Sequence, residues 1–266
     1  MSVEAVRFYE QFPRDVNILK NEIKESGFQH AALVCDGNRT WGSERIPQVG
    51  PKRAYKIGAN RIEESALIAC SLGIPFVSAW VLSPQNLEGR DPEEMLGLFD
   101  VLQETFAESA VPAMRDGGMG FKLVGSRELS EAAKQKLGMV GQQRFYETMG
   151  KLHKLQGPPS SSEGTTFTLL VNYGGEEEVD DVLTTAFDSG APIQNIVDLK
   201  SRLALPDVNL LIRTGGEKNL RTNGVFALQM KKGQIVNPDQ YWPDFRGVDF
   251  VRAMWQYFGK KHTYGK

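Results

Sequence analysis

The sequence predicts an α/β fold: a central, mostly parallel sheet flanked by helices. Five short apolar runs, Ala31 to Cys35, Phe76 to Leu82, Phe121 to Val124, Phe167 to Val171 and Val208 to Ile212, are nearly continuous rather than alternating, the pattern of strands covered on both faces. Between them lie stretches with apolar residues at helical spacing, and strand alternating with helix implies right-handed crossovers. A length of 266 residues fits one large core, so residues 1–266 read as a single domain.

In chain order, Ala31 to Cys35 is closed by the polar turn Asp36-Gly37-Asn38. A helix over Arg53 to Leu72 stops at Gly73, a residue that accepts the left-handed C-cap conformation. Asp91 is a helix N-cap, Pro92 suits the first helical position, and Met95, Leu98, Phe99, Leu102 and Phe106 then form one apolar stripe. Ser130 caps a third helix running toward Leu155, which Gly138, Gly141 and Gly150 weaken by about 1 kcal/mol each. Gly157 to Gly164, GPPSSSEG, has no apolar residue and reads as a surface loop. Phe167 to Val171 ends in Asn172-Tyr173-Gly174-Gly175, and Val208 to Ile212 ends in Arg213-Thr214-Gly215-Gly216-Glu217.

Composition excludes several functions. With 31 Lys and Arg against 33 Asp and Glu, the net charge is −2, so no global basic field draws the chain to nucleic acid or anionic lipid. No stretch approaches the roughly 18 apolar residues of a membrane span, which leaves peripheral membrane contact at most. Cys35 and Cys70 sit in apolar runs and read as reduced, buried thiols, pointing to a cytoplasmic protein without a disulfide framework. GxGxxG, GxxxxGK[ST] and GxSxG are absent, and His30, His153 and His262 are too scattered for a metal cluster. Asp180-Asp181 is followed by Val182-Leu183-Thr184, so no DDxxD motif is completed.

What remains is the rim of the sheet. Ligands of open parallel sheets collect beyond the carboxyl ends of the strands, where the three polar turns are expected to converge. They offer a carboxylate (Asp36), an amide (Asn38), guanidinium groups (Arg39, Arg213, Arg221) and glycines, a kit for a phosphate or diphosphate with a divalent cation. Each turn alone is an ordinary turn, Arg213 alone an ordinary ion pair and Trp41 alone an ordinary core residue; the conjunction carries the functional reading.

The blocks HAALVCDGNRTW (His30 to Trp41), LVNYGGEEEVDD (Leu170 to Asp181), NLLIRTGGE (Asn209 to Glu217) and WPDF (Trp242 to Phe245) occur in this order. They resemble the signature blocks of the cis-prenyltransferase, or undecaprenyl diphosphate synthase, family over about residues 28 to 258. The resemblance implies an apolar tunnel between the sheet and two helices, a homodimer, and Mg2+-dependent joining of an allylic prenyl diphosphate to isopentenyl diphosphate with release of diphosphate. It assigns Asp36 to the metal and leaving group, and Gly37 and Asn38 to the diphosphate. Trp41 matches the aromatic after DGN. Asn86 and Arg90, in SPQNLEGR, resemble SSENWxR with one residue inserted and Leu87 in place of the aromatic. Arg213 matches the arginine of RTGGE. A two-residue insertion brings Arg221 to the second arginine's place and Asn223 to that of a phosphate-binding Ser. By these matches Asp36, Asn38 and Asn86 are catalytic, and Gly37, Arg39, Trp41, Arg90, Arg213, Arg221 and Asn223 bind substrate.

The departures bear on the reaction. The family's DGNGRW has become DGNRTW, so Thr40 stands where an arginine grips the allylic diphosphate, and Arg39 is its stand-in. For the family's RxxGHxxG the chain offers Gly50-Pro51, with Lys52 and Arg53 nearby, and Gln234 falls on a metal-binding Glu. These changes favour a specialised prenyltransferase: a short product, irregular coupling of two allylic units, or transfer to an unusual acceptor. A regular cis-elongating polyprenyl diphosphate synthase and a non-catalytic subunit are the alternatives.

Overall fold

The computed structural model describes residues 13–215, 224–230 and 232–259. Helix α1 (Pro13–Ser26) precedes β1 (His30–Val34), α2 (Asn38–Arg45) and α3 (Pro51–Ser71). Then come β2 (Phe76–Leu82), α4 (Pro84–Gly89) and α5 (Pro92–Val101). Helix α5 runs on through a π-wound stretch (Leu102–Ala110) into α6 (Val111–Asp116). Strand β3 (Gly120–Val124), α7 (Glu131–Lys154), β4 (Thr166–Val171), α8 (Gly175–Asp188) and α9 (Ile196–Arg202) follow. The chain closes with β5 (Leu210–Arg213), β6 (Gln234–Val236), a 3₁₀ turn (Trp242–Asp244) and α10 (Gly247–Gly259).

The strands form one sheet in the order β3-β4-β2-β1-β5-β6, every pair parallel, as the continuous apolar runs predict. β1 pairs with β2 (Ala31↔Val77) and β5 (Val34↔Arg213), so Arg213 ends its strand beside the end of β1. The capping signals are used as written. Asp91 accepts from the N–H groups of Glu93 and Glu94, and Ser130 from that of Ala133. Gly138 does more than weaken α7: at φ 62° and ψ −178° it kinks the helix. Gly157 pairs with Phe121 in an isolated antiparallel bridge at the start of the Gly157 to Gly164 segment.

The larger apolar core lies between one sheet face and α1, α3, α5, α7 and α10; a smaller one, around Val34, Leu170, Leu211 and Phe226, fills the other face. Helix α8 buries only Gly175 and Ala186, and Leu183, Phe187, Ile196 and Val197 of α8 and α9 stand exposed, Phe187 at 86%. Both cysteines are free thiols. Among the described residues no helix is long and apolar enough to cross a membrane.

Candidate active site

The Asp36 turn is clamped from three directions. Gly37, at φ 97°, opens α2, and a Cβ there would lie 2.6 Å from the ring of Tyr241, so neither the conformation nor the space suits another residue. The backbone oxygen of Asp36 accepts from Thr214 Oγ1 (2.8 Å) and from the Trp242 N–H (3.0 Å). Its carboxylate accepts from the Gly37 N–H at Oδ1 (2.8 Å) and from Arg213 Nη2 at Oδ2 (2.9 Å). The Arg213 side chain is 4% exposed and that of Asp36 41%, so a buried cation presents a half-open carboxylate to the rim. Asn38 donates from Nδ2 to the Cys35 carbonyl (2.8 Å), while its Oδ1 is buried with no partner. Gly58 of α3 makes room for that oxygen, since a Cβ would lie 2.3 Å from it, and the Gly58 carbonyl accepts from Trp242 Nε1 (2.8 Å). The DGN, RTG and WPDF blocks are thus one interlocked joint.

A second cluster centres on Glu94 of α5, whose side chain is 14% exposed. Its Oε1 accepts from the Tyr55 hydroxyl and faces Arg39 Nε at 3.9 Å and Arg90 Nη1 at 3.7 Å, while Arg90 Nη1 also donates to the Tyr55 oxygen (3.2 Å). Burial raises the Tyr55 hydroxyl above the ordinary tyrosine range, with Arg90 pulling the other way and Glu94 reinforcing the rise. The sequence gives no direct sign of this cluster, yet Tyr55-x-x-Gly58 repeats the HxxG spacing with Tyr in the His place. Gly50 and Pro51 merely start α3, and Lys52 is engaged by Asp100 (3.0 Å) and Glu104 (3.2 Å) on the surface.

Two hollows meet here. The inner one, about 120 Å³, has Asp36, Gly37, Asn38, Arg39, Thr40 and Arg90 at its mouth and runs between α3 and α5 to Leu98, Val101, Leu102 and Phe106. The outer one, about 390 Å³, is lined by Ser83, Gln85, Asn86 and Arg213 among others. Cys35, Asp36, Arg39, Val81 and Arg90 line both. Buried donors without partners ring the junction: Arg90 Nε, and Arg213 Nε and Nη1. On the chain following β6, Asn237 Nδ2 and Gln240 Nε2 are in the same condition, with Gln240 joined to the RTG turn through Gly215 N–H to its carbonyl (2.9 Å). Buried guanidinium donors in want of acceptors suit an anion.

The remaining sequence-predicted residues fall elsewhere. Trp41 lines neither hollow; its indole donates to Asp244 (2.8 Å) and pins α2 to the WPDF turn. Gln234 pairs with Leu210 at the start of β6, three residues short of Arg213 and so on the order of 10 Å from its level. Arg221 and Asn223, with Gly216 and Glu217, lie outside the described residues. The expected convergence of three turns is corrected to two: β2 separates β4 from β1, and Asn172 to Gly174 line a separate hollow of about 450 Å³ with Glu177, Glu178 and Asp181.

Among the described residues no group of three or more His, Cys, Asp and Glu side chains could hold a metal by itself. The donor set does fit Mg2+ shared with a substrate, because that ion is commonly bound through one carboxylate plus phosphate oxygens. Asp36, its side chain 41% exposed at the rim, supplies the carboxylate.

Comparison with known proteins decides the family. The profile of the family described as putative undecaprenyl diphosphate synthase matches residues 34–265. The chain belongs to this cis-prenyltransferase family of enzymes. Isoprenyl transferase 1 of Corynebacterium efficiens is 31% identical over 252 residues, covering 89% of this chain and 90% of that one. The (2Z,6E)-farnesyl diphosphate synthase of Mycobacterium tuberculosis is 28% identical over 254 residues, 90% and 88% of the two chains. Lavandulyl diphosphate synthase from Lavandula x intermedia, solved in complex with dimethylallyl diphosphate, superposes with a TM-score of 0.71 over 90% of this chain and 98% of that one at 24% identity, which establishes the shared fold. In this family member, then, the joint of DGN, RTG and WPDF blocks lies at the rim where the inner and outer hollows meet.

Proposed function

We propose that the chain is a Mg2+-dependent prenyltransferase: it binds an allylic prenyl diphosphate in the inner hollow and a second isoprenoid in the outer one, joins them and releases diphosphate. The observation that carries this is the shared wall of the two hollows, Asp36, Arg39 and Arg90, which puts phosphate-binding groups between a polar mouth and an apolar chamber. Breaking the allylic C–O bond sends its electron pair to the departing diphosphate and leaves an allylic cation. The acceptor's double bond attacks that cation, a new C–C bond forms, and the carbon beside the resulting cation gives its proton to the departed diphosphate, closing a new double bond. Arg39, Arg90, Gly37 and Asn38 hold the donor diphosphate. Asn86, Arg213, Arg221 and Asn223 hold the acceptor, isopentenyl diphosphate or another prenyl unit, and Trp41 steadies the turn that binds the donor. Asp36 would hold Mg2+ together with the substrate, and the ion would supply neutralisation of the charge gathering on the leaving group. The apolar walls, Leu98, Val101, Leu102 and Phe106, keep water from the cation.

The loss of arginine at Thr40 supports a specialised product, short or irregularly coupled, over long-chain elongation. We also propose a homodimer, in which a second copy covers the apolar surface of α8 and α9 that includes Phe187, and a cytoplasmic location, which the free cysteines support.

The test is incubation of purified protein with Mg2+ and labelled dimethylallyl, geranyl or farnesyl diphosphate, with and without isopentenyl diphosphate, followed by identification of extracted products. A short or branched prenyl product is expected. Long polyprenyl product means regular elongation, and silence with retained diphosphate binding means a non-catalytic subunit.

A further inference from the structure

The inner hollow is small, and its far end is closed by aromatic packing. Its volume is about 120 Å³, part of it taken by the polar mouth. A protein cavity of about 150 Å³ lined by Leu, Ile and Phe holds one benzene, six carbons. The chamber beyond Asp36 therefore takes no more than one five-carbon group, and a second isoprene unit would need about as much space again.

Phe106 is the residue at the deep end. It is 1% exposed and lies in the π-wound stretch Leu102–Ala110, where the wall helix departs from α geometry. Its ring stacks on Phe167 of β4, with centroids 6.3 Å apart and planes at 28°, and Phe167 packs in turn against Phe121 of β3 at 6.0 Å. A longer tail cannot advance by a rotamer change of Phe106 alone, because two fully buried rings stand behind it. Helices wound as π turns recur at functional sites, and here the extra residue per turn coincides with the chamber's end.

From this geometry we infer that the allylic donor is the five-carbon diphosphate, dimethylallyl, and that Phe106 is the specificity-determining residue that excludes geranyl and farnesyl chains. The inference rests on the proposed prenyl diphosphate site and adds the length of the donor.

Calorimetric binding to the whole protein in Mg2+, using non-ionising thiolo-diphosphate analogues of the dimethylallyl, geranyl and farnesyl donors with inorganic pyrophosphate as headgroup control, tests it without turnover. Wild type is expected to bind the dimethylallyl analogue at least tenfold more tightly than the farnesyl one. Phe106→Ala is expected to shift the farnesyl-to-dimethylallyl ratio at least tenfold toward farnesyl while pyrophosphate affinity stays constant. Phe106→Leu, which keeps most of the packing, should shift the geranyl ratio in the same direction and serves if the alanine variant does not fold. Equal or tighter farnesyl binding by wild type overturns the donor assignment. An unshifted ratio in both folded variants overturns the role of Phe106. If nothing binds, pyrophosphate included, the prenyl diphosphate reading itself falls and takes this inference with it, a result distinct from tight binding of every chain length.

Discussion

Arg213 donates from Nη2 to Asp36 Oδ2 at 2.9 Å although the two residues are 177 positions apart. Parallel pairing of β1 with β5 explains the meeting, because it brings the ends of both strands to one rim. The guanidinium is almost wholly buried and the carboxylate is not, so the pair holds Asp36 in place with its outer face open to an incoming cation. Asp36→Asn keeps the size of the side chain and removes its charge. Turnover is expected to fall by about two to three orders of magnitude, the range for loss of one preorganised electrostatic group. Product formation measured beside circular dichroism checks this; more than a tenth of wild-type activity in a folded Asn variant would rule out the metal role.

Glu94 aligns two guanidinium groups and one hydroxyl at the mouth of the inner hollow. Glu94→Gln removes the charge that orients Arg39 and Arg90, and the expected result is a roughly tenfold rise in KM for the allylic donor with kcat nearly unchanged, corresponding to about 1.4 kcal/mol of binding. Because Arg39 acts through the same cluster, Arg39→Ala placed on top of Glu94→Gln should cost less than the two single losses added together. Additive losses in that double-mutant cycle would mean that Glu94 does not position Arg39.

Much of the fold was legible because strands covered on both faces must be apolar throughout, and each of the five such runs becomes a strand shifted by at most two residues. Strand β6 escaped because three residues beginning with Gln234 carry no periodicity. Helix α2 escaped because Asn38-Arg39-Thr40-Trp41 read as the continuation of a polar turn. At the site, Asp36 and Arg213 were legible from their shared position after strands. Tyr55 and Glu94 were not, since they face each other from two helices whose rotation only packing fixes. The third polar turn was misplaced for a related reason: sequence announces strands but not their order in the sheet.

Strand register also reverses one expectation drawn from motif alignment. Alignment back from WPDF sets Gln234 on a metal-binding Glu, which would make Gln234→Glu tighten Mg2+ dependence. In the sheet Gln234 pairs with Leu210, at the far end of β5 from Arg213. Within one chain a carboxylate there is too distant to share an ion with Asp36. The half-saturating Mg2+ concentration of Gln234→Glu is therefore expected to match that of wild type in a metal titration of turnover, and a several-fold decrease would show that this position does reach the ion.

His30 opens β1 and is fully buried, with Nδ1 3.1 Å from the Pro206 carbonyl and Nε2 2.8 Å from Ser78 Oγ. A carbonyl can only accept, so Nδ1 carries the proton and Nε2 accepts from Ser78. Burial lowers the pKa from 6.5 to about 4, with the Pro206 carbonyl and Asp207 opposing the shift. The unfolded chain takes up a proton as pH falls below 6.5, whereas the folded chain does so only near 4, so the contribution is intact above 6.5 and is lost progressively between those values. The full loss is about 3 kcal/mol, or on the order of 5–10 °C in melting temperature for a chain of this size. His30→Gln retains an amide donor and a carbonyl acceptor without a titrating ring. It is expected to melt lower than wild type at neutral pH and to show a flatter decline on acidification. Scanning calorimetry of both proteins from pH 7 to pH 4.5 measures the difference, and parallel curves would remove His30 as the source of the acid sensitivity.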